Sequence, residues 1–305
     1  MENGKLKGYI CGAIAAASYG LSPLFTLPMY AAGLGVDSVL FYRYVLAVTM
    51  LAVLMLGQRQ SFALRRCEVA PLVVMGLIFS MSSLTLFESF RLMDAGIAAT
   101  LLFVYPVLVA IIMAVFFKER ISLLTTFAIL LALGGIALLY KGENGATLNL
   151  MGVVMVFVSA LCYAIYIVGV NRSALREMAT EKLTFYALLF GLSVFFVRLR
   201  FGADLQAIPT PALWVNALAL GLLPTVISLV TMAIAIRHIG STPTAILGAL
   251  EPVTALFFGV VVFGEPFTSR IALGVVLILV AVTLIIAGRP LLDRLPTLFG
   301  IHRAR

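Results

Sequence analysis

Charged side chains are scarce in this chain. Only 11% of its 305 residues are Asp, Glu, Lys or Arg, and 63% are hydrophobic. Soluble domains carry roughly 25% charged residues, so too few polar groups remain here to cover a globular surface. The composition excludes an ordinary water-soluble domain and predicts a protein whose main solvent is lipid.

The chain also has few of the residues that build metal, redox or nucleotide sites. It has two histidines and three cysteines, and the cysteines (Cys11, Cys67 and Cys162) are odd in number and form no CxxC pair. It contains no GxxxxGKS/T phosphate loop, and no connection is long enough to hold a soluble domain. We therefore predict no metal, no cofactor and no ATP-driven mechanism, and we do not expect an enzyme.

What the chain does contain is a series of apolar runs. Each is about 20 residues long, which is enough to cross roughly 30 Å of hydrocarbon as a helix. The ten runs are Gly8 to Leu27, Val36 to Leu56, Ala70 to Phe90, Ala95 to Phe117, Leu123 to Tyr140, Leu150 to Val170, Leu183 to Val197, Ala212 to Ile236, Ser241 to Phe263 and Ile271 to Ala287. They predict an all-α membrane protein with ten transmembrane helices.

Lysine and arginine are unevenly distributed between these runs. If the N-terminus lies inside, most of them fall in inner segments. The outer segments then hold only Arg91, Lys141, Arg198, Arg200 and Arg270. By the positive-inside rule both termini are predicted to be cytoplasmic, in the cytoplasmic (inner) membrane. The net charge of +8 is therefore a signal of topology, and we predict no nucleic-acid partner.

Two stretches of the chain repeat the same polar and proline spacing. With an offset of 146 residues the matching positions are Arg91 and Arg237, Pro106 and Pro252, and Glu119 and Glu265. Five runs per half is an odd number, so the second half must enter the membrane from the opposite side. The sequence predicts two inverted five-helix repeats, 1–145 and 146–290, followed by a short basic cytoplasmic tail, 291–305.

Glu251 is the most informative acid because it lies near the middle of the ninth run. A bare carboxylate at this depth costs at least a few kcal/mol, so it should face a cavity or a partner, or carry a proton. It would contact a substrate amine or titrate during transport, or it is a structural acid bonded to neighbouring helices. Pro252 removes a backbone donor and is expected to shape the helix and free the carbonyl of Gly248.

Four tyrosines accompany this acid. Tyr105 and Pro106 hold the corresponding positions in the fourth run, and Tyr19 and Tyr163 form a second matched pair, with Tyr166 one helical turn from Tyr163. An aromatic pocket with one acid suits amino acids or amphipathic metabolites. Packing against lipid or other helices is the alternative for any single tyrosine.

Charged residues also lie near the predicted outer side. Glu88 and Arg91 are three residues apart and can pair along one helix face, as a gate or as a static ion pair. Arg43 lies within the second run and needs a partner from another helix, for which Glu88 and Asp94 are the candidates.

Glu119 and Glu265 end the fourth and ninth runs. We expect each carboxylate to bond backbone donors at the start of the helix that follows it, near the positive end of that helix.

Leu250-Glu251-Pro252, Gly264-Glu265, Pro106, Glu119 and the membrane Arg43 together resemble the drug/metabolite transporter superfamily, specifically an EamA-type ten-helix permease. The resemblance covers nearly the whole chain. It implies export of amino acids, aromatic compounds or other small metabolites through a central cavity between inverted halves. Glu251 and Pro252 would line or shape that cavity, and Arg43 matches a second-span arginine. Lys118 departs from the Gly264 pattern, which suggests that the first turn is built differently.

The sequence thus predicts a secondary transporter that exports small organic solutes by alternating access. Its partners would be a small-molecule substrate, the lipid bilayer and protons as a candidate coupling ion, and a monomer is plausible. A transporter of the same fold for drugs or cations, nucleotide sugars or lipid head groups stays open. An intramembrane enzyme is the rival class, which the scarcity of histidine disfavours.

Overall fold

The computed structural model describes residues 2–118, 123–140 and 149–298, and this part of the chain is helical without strands. The helices are α1 (Glu2–Gly20), α2 (Ser22–Ala31), α3 (Val36–Gly57), α4 (Arg66–Ser89), α5 (Ala95–Leu102), α6 (Tyr105–Phe117), α7 (Leu123–Tyr140), α8 (Leu150–Asn171), α9 (Thr180–Arg198), α10 (Pro211–Gly221), α11 (Ser228–Ile239), α12 (Ser241–Leu247), α13 (Leu250–Phe263) and α14 (Ser269–Leu298). Glu119, the predicted repeat boundary at 145–146 and the end of the tail lie outside the described residues.

Seven helical stretches are long and apolar enough to cross a membrane. They are Gly4–Ala31, Val36–Gly57, Arg66–Ser89, Ala95–Phe117, Leu150–Asn171, Thr180–Arg198 and Pro211–Ile239. Three shorter apolar helices, Thr126–Leu139, Leu250–Phe263 and Ser269–Leu284, coincide with the fifth, ninth and tenth predicted runs. The architecture is an all-helical bundle of several apolar spans, while the count of ten and the side of the termini stay predictions.

Four of the predicted runs are broken within their length. The first breaks at Leu21, the fourth between α5 and α6, the ninth between α12 and α13, and the eighth contains a π-helix over Leu222–Ile227. Pro106 and Pro252 both lie in the first turn of the segment after the break. Backbone N–H groups in the first turn of a helix have no partner within that helix, so proline loses no helical hydrogen bond there. They therefore begin new segments and do not kink continuous helices.

The expectation that Pro252 frees the Gly248 carbonyl was wrong. The Gly248 oxygen accepts a hydrogen bond from the Glu251 amide at 3.0 Å. The chain turns between α12 and α13, so the Glu251 amide donates to the Gly248 oxygen in place of the N–H that Pro252 lacks.

Helix packing is reciprocal between the first and second halves. The α4 helix packs on α8 and on α9, while α11 packs on α1 and α10 packs on α3. If α1–α2 corresponds to α8, α3 to α9 and α4 to α10–α11, each of these contacts has a counterpart. Two further contacts join corresponding helices directly: α3 packs on α9, and α7 packs on α14 if these two also correspond.

The residues that end α6 and α13 have similar backbone conformations. Lys118 ends α6 at φ 54° and ψ 28°, and Gly264 ends α13 at φ 67° and ψ 25°. Residues 119–122 lie outside the described residues, so the suggestion that the first turn is built differently stays a prediction. A lysine holds the left-handed conformation in spite of the steric cost that glycine avoids.

Replacing Lys118 by Gly should therefore stabilise the protein by about 1 kcal/mol, because the strained Cβ is removed. Thermal unfolding of the purified protein in one detergent measures the effect as a higher Tm. Val115→Gly is the matched control, since it places a glycine at an exposed position within α6 and should lower the Tm. A Tm for Lys118→Gly at or below that of the wild type would contradict a strained turn.

Candidate functional site

Three of the predicted site residues lie at helix breaks. Tyr19 is the penultimate residue of α1, Tyr105 is the first residue of α6, and Glu251 is the second residue of α13. Gly20 allows the close crossing of α1 and α13, because a Cβ at residue 20 would collide with the backbone oxygen of Glu251. The broken helices thus bring polar side chains and irregular backbone to one place inside the bundle.

These side chains are neighbours in space. Tyr19 lies within electrostatic range of both Arg43 and Glu251. Tyr105 lies within range of Glu251 and Tyr19, and Tyr163 lies within range of all three. We call Tyr19, Tyr105, Tyr163, Tyr166 and Glu251 the Glu251 cluster.

The Glu251 cluster lies deep in the bundle and stays partly accessible. Its members are enclosed by protein. Each nevertheless keeps part of its surface accessible. This combination is expected of side chains that line an internal space, whereas side chains of a solid core have no accessible surface.

Aromatic rings form one wall of this space. The ring of Tyr105 meets Tyr163 edge-on at 4.7 Å between centroids, and Tyr163 lies parallel to Tyr166 at 6.2 Å. Phe79 of α4 closes the wall, with its centroid 5.1 Å from that of Tyr166. The wall offers ring faces and hydroxyl groups beside one carboxyl group, which is suited to binding and orienting an amphipathic solute.

Arg43 lies next to the cluster but is held differently from what the sequence predicted. It is 4% exposed, its Nε donates to Thr225 Oγ1 at 3.3 Å, and its guanidinium carbon lies 5.1 Å from the centre of the Phe87 ring. Among the described residues no carboxylate forms an ion pair with it, so Glu88 and Asp94 are not its partners. The guanidinium is thus held by a hydroxyl and an aromatic face, and it lies within electrostatic range of Tyr19.

Glu88 and Arg91 do pair, with 3.8 Å between Arg91 Nη1 and Glu88 Oε2. Their side chains are 29% and 58% exposed, so solvent screens the attraction. The pair lies at the end of α4, away from the Glu251 cluster. Its role as a gate stays a prediction.

Glu265 reaches a different helix from the one expected. Its Oε1 accepts from the Ala95 amide at 2.7 Å and its Oε2 from the Gly96 amide at 3.0 Å. The carboxylate therefore caps the start of α5, while Thr268 supplies the oxygen that caps α14 through the Ile271 amide. The short helix α5 packs against α13, which ends just before Glu265, so the two are already adjacent.

The part of the chain that the structure describes contains no group of three or more His, Cys, Asp or Glu residues able to hold a metal ion. The site residues that sequence reasoning missed are Thr225, Phe79 and Phe87. Pro224 is the signal that could have found Thr225, because a proline inside an apolar run marks an irregular helix, and here it lies in the π-helix.

The comparisons with known proteins agree with this architecture. A profile described as the EamA-like transporter family matches residues 6–141 and again residues 150–287. The chain belongs to the EamA-like transporter family. It is therefore a multi-pass membrane transporter.

Curated relatives of this EamA-like chain are named only as transporters. It is 30% identical over 193 residues to an uncharacterized transporter of Archaeoglobus fulgidus, covering 62% of the chain and 66% of that protein. A second from the same organism is 24% identical over 291 residues, covering 93% of the chain and 100% of that protein. Uncharacterized transporter YxxF of Bacillus subtilis is 23% identical over 237 residues, covering 76% of the chain and 75% of that protein.

A protein of known crystal structure has the same fold. It superposes with a TM-score of 0.66 and 17% identity, covering 95% of the EamA-like chain and 99% of that protein. At 17% identity this similarity shows a shared fold and nothing about function.

Proposed function

We propose that the protein exports small organic metabolites that carry an amine, such as amino acids and aromatic amino acids in particular, across the cytoplasmic membrane. The observation that supports this most is the meeting of Glu251, Tyr19 and Tyr105 at three helix breaks around an internal space. An ammonium group would bind the Glu251 carboxylate, and an aromatic or aliphatic side chain would lie against Tyr105 and Tyr163.

Arg43 extends the proposal to solutes that also carry a carboxylate. Tyr19 lies within electrostatic range of both charged groups. A zwitterion has its charges on one carbon, so the ammonium would face Glu251 and the carboxylate would face Tyr19 and Arg43. A charge-assisted hydrogen bond of this kind contributes about 1.5–3 kcal/mol to binding.

We further propose ten transmembrane helices arranged as two inverted repeats with cytoplasmic termini. The two separate matches to the family profile support a duplication. The reciprocal helix packing supports the inverted arrangement, because five spans per half reverse the direction of the second half.

Alternating access is supported by a difference between the two ends of the bundle. At the predicted outer end α5 packs against α13, and Glu265 ties them together. The corresponding helices at the other end are α6 and α12, which share no comparable contact over the described residues. We infer that the predicted outer end is the closed one in this arrangement, as expected for one state of a rocking transporter.

Efflux from proteoliposomes tests the proposed substrate class. Vesicles loaded with one radiolabelled solute at a time would compare aromatic and aliphatic amino acids, the matching amines and carboxylic acids, and a cationic drug. We expect saturable efflux of amino acids that the unlabelled compound inhibits. Efflux of the drug alone, or of the carboxylic acids alone, would contradict the proposal.

A further inference from the structure

The π-helix over Leu222–Ile227 adds one residue to the second half of the chain. Before it, Gly76 of α4 corresponds to Gly221, the last residue of α10, which lies 145 residues later. Both glycines allow a close helix crossing, because a Cβ at residue 76 would meet the Ala187 oxygen of α9 and one at residue 221 would meet the Arg43 oxygen of α3. Arg43 and Ala187 therefore hold corresponding positions.

After the π-helix the correspondence shifts by one residue. Ser82 Oγ of α4 donates to the Ser159 oxygen of α8 at 2.9 Å, and Ser228 Oγ of α11 donates to the Ala15 oxygen of α1 at 2.8 Å. Ser82 and Ser228 are 146 residues apart. A turn closed by i→i+5 hydrogen bonds contains one residue more than an α-helical turn, which accounts for the shift. The second half thus carries an insertion within its eighth predicted run.

Thr225 lies in this inserted turn and contacts the guanidinium of Arg43. Its hydroxyl donates to the Leu220 oxygen, five residues earlier, at 3.4 Å and accepts from Arg43 Nε at 3.3 Å. A hydroxyl has one proton, so the bond to Leu220 leaves only the lone pairs of the oxygen for Arg43. Together with the Phe87 ring, whose centre lies 5.1 Å from the guanidinium carbon, this bond fixes the plane of the charged group.

The matching contact between α4 and α9 has different chemistry. Ala187 of α9 occupies the position that corresponds to Arg43, and α4 is α-helical over Arg66–Ser89. From α4 the aromatic wall receives Phe79, next to Tyr166. The two corresponding helix contacts, α3 with the π-helix and α9 with α4, thus supply a guanidinium and an aromatic ring respectively.

We propose that Thr225 is a positioning residue, which holds the Arg43 guanidinium for the carboxylate of the solute and so sets the preference of the site for amino acids over the matching amines. A guanidinium recognises a carboxylate through two parallel hydrogen bonds, and this geometry requires a fixed plane. A group that is held before the ligand arrives loses less conformational freedom on binding. The proposal rests on the proposed function, in which Arg43 faces the solute carboxylate.

Calorimetric titration of the purified protein in one detergent tests this role with three probes. L-Phenylalanine carries a ring, an amine and a carboxylate, L-phenylalaninol lacks the carboxylate, and 3-phenylpropanoate lacks the amine. The measured quantity is the preference for phenylalanine, which is the Kd of phenylalaninol divided by the Kd of phenylalanine. We expect Thr225→Val to lower this preference about three- to tenfold, by weakening binding of the two carboxylates, and Thr225→Ser to retain it.

Two comparisons separate positioning from general damage to the fold. Thr231→Val removes a hydroxyl that bonds the carbonyl oxygens of Ile227 and Ser228 along the same helix, and it should leave the preference unchanged. In an Arg43→Lys background the Nε donor is absent, so Thr225→Val should have no further effect on the preference. If Thr225→Val does not elute as a monodisperse protein, Thr225→Cys replaces it, because a thiol is a weak acceptor.

An unchanged preference in Thr225→Val, or an equal loss of preference in the Arg43→Lys background, would overturn the proposal. Failure of both phenylalanine and 3-phenylpropanoate to bind the wild type would overturn it as well. Binding of 3-phenylpropanoate that depends on Thr225, found together with no amino acid efflux, would overturn the proposed function and leave the positioning role standing. Amino acid efflux with an unchanged preference in Thr225→Val would do the reverse.

Discussion

Glu251→Gln is expected to weaken binding of amine-bearing solutes by about 10- to 100-fold. The amide keeps the size of the side chain but removes the charge, so the hydrogen bond to the ammonium loses about 1.5–3 kcal/mol. Solutes without an amine should be affected little. Exchange of labelled solute in proteoliposomes, measured over a range of concentrations, gives the apparent affinity.

The same variant separates a proton-coupled role from a purely binding role. If Glu251 takes up and releases a proton during transport, the dependence of exchange on internal pH should flatten when Gln replaces it. Asp204→Asn is the control, because Asp204 is an exposed acid paired with Arg200 at the surface. An unchanged pH profile in Glu251→Gln would rule out the proton role.

Glu265→Ala is expected to open the end of the bundle that is closed in this structure. The substitution leaves the amides of Ala95 and Gly96 without their acceptors, which costs about 1–3 kcal/mol in the closed arrangement. The balance between closed and open arrangements should shift by about 5- to 150-fold. Spin labels at the exposed Leu92 and Phe267 would report the distance between the two sides.

We expect a longer distance to appear in Glu265→Ala. Glu265→Gln is the matched variant, since its amide oxygen can still accept one backbone hydrogen bond and should give an intermediate population. A monodisperse elution profile shows that each variant is folded. The same distance distribution in Glu265→Ala and the wild type would mean that this carboxylate is a static cap.

The residues of the cluster could be predicted because each is costly or conspicuous in an apolar run. A carboxyl group such as Glu251 needs a compensating environment, and a proline beside it marks irregular backbone. Two runs with matching prolines then place Tyr105 opposite Glu251. Local chemistry and an internal repeat were sufficient for this.

The contacts that sequence reasoning missed depend on which helices become neighbours. Glu265 caps α5 and not the following helix, because α5 packs against α13 and Glu265 lies two residues after the end of α13. Arg43 meets Thr225 because a π-helix turns that hydroxyl towards it. In both contacts the two residues are far apart in the sequence, and no local sequence pattern indicates that they meet.

Access to the cluster from both sides of the membrane tests the central claim most directly. Tyr166→Cys, in the protein without its native cysteines, would be exposed to a membrane-impermeant thiol reagent in right-side-out and in inverted vesicles. Alternating access predicts labelling from both sides, with faster labelling from the outside when Glu265→Ala is added. Labelling from one side alone, in both backgrounds and with transported solute present, would contradict a central site between two rocking halves.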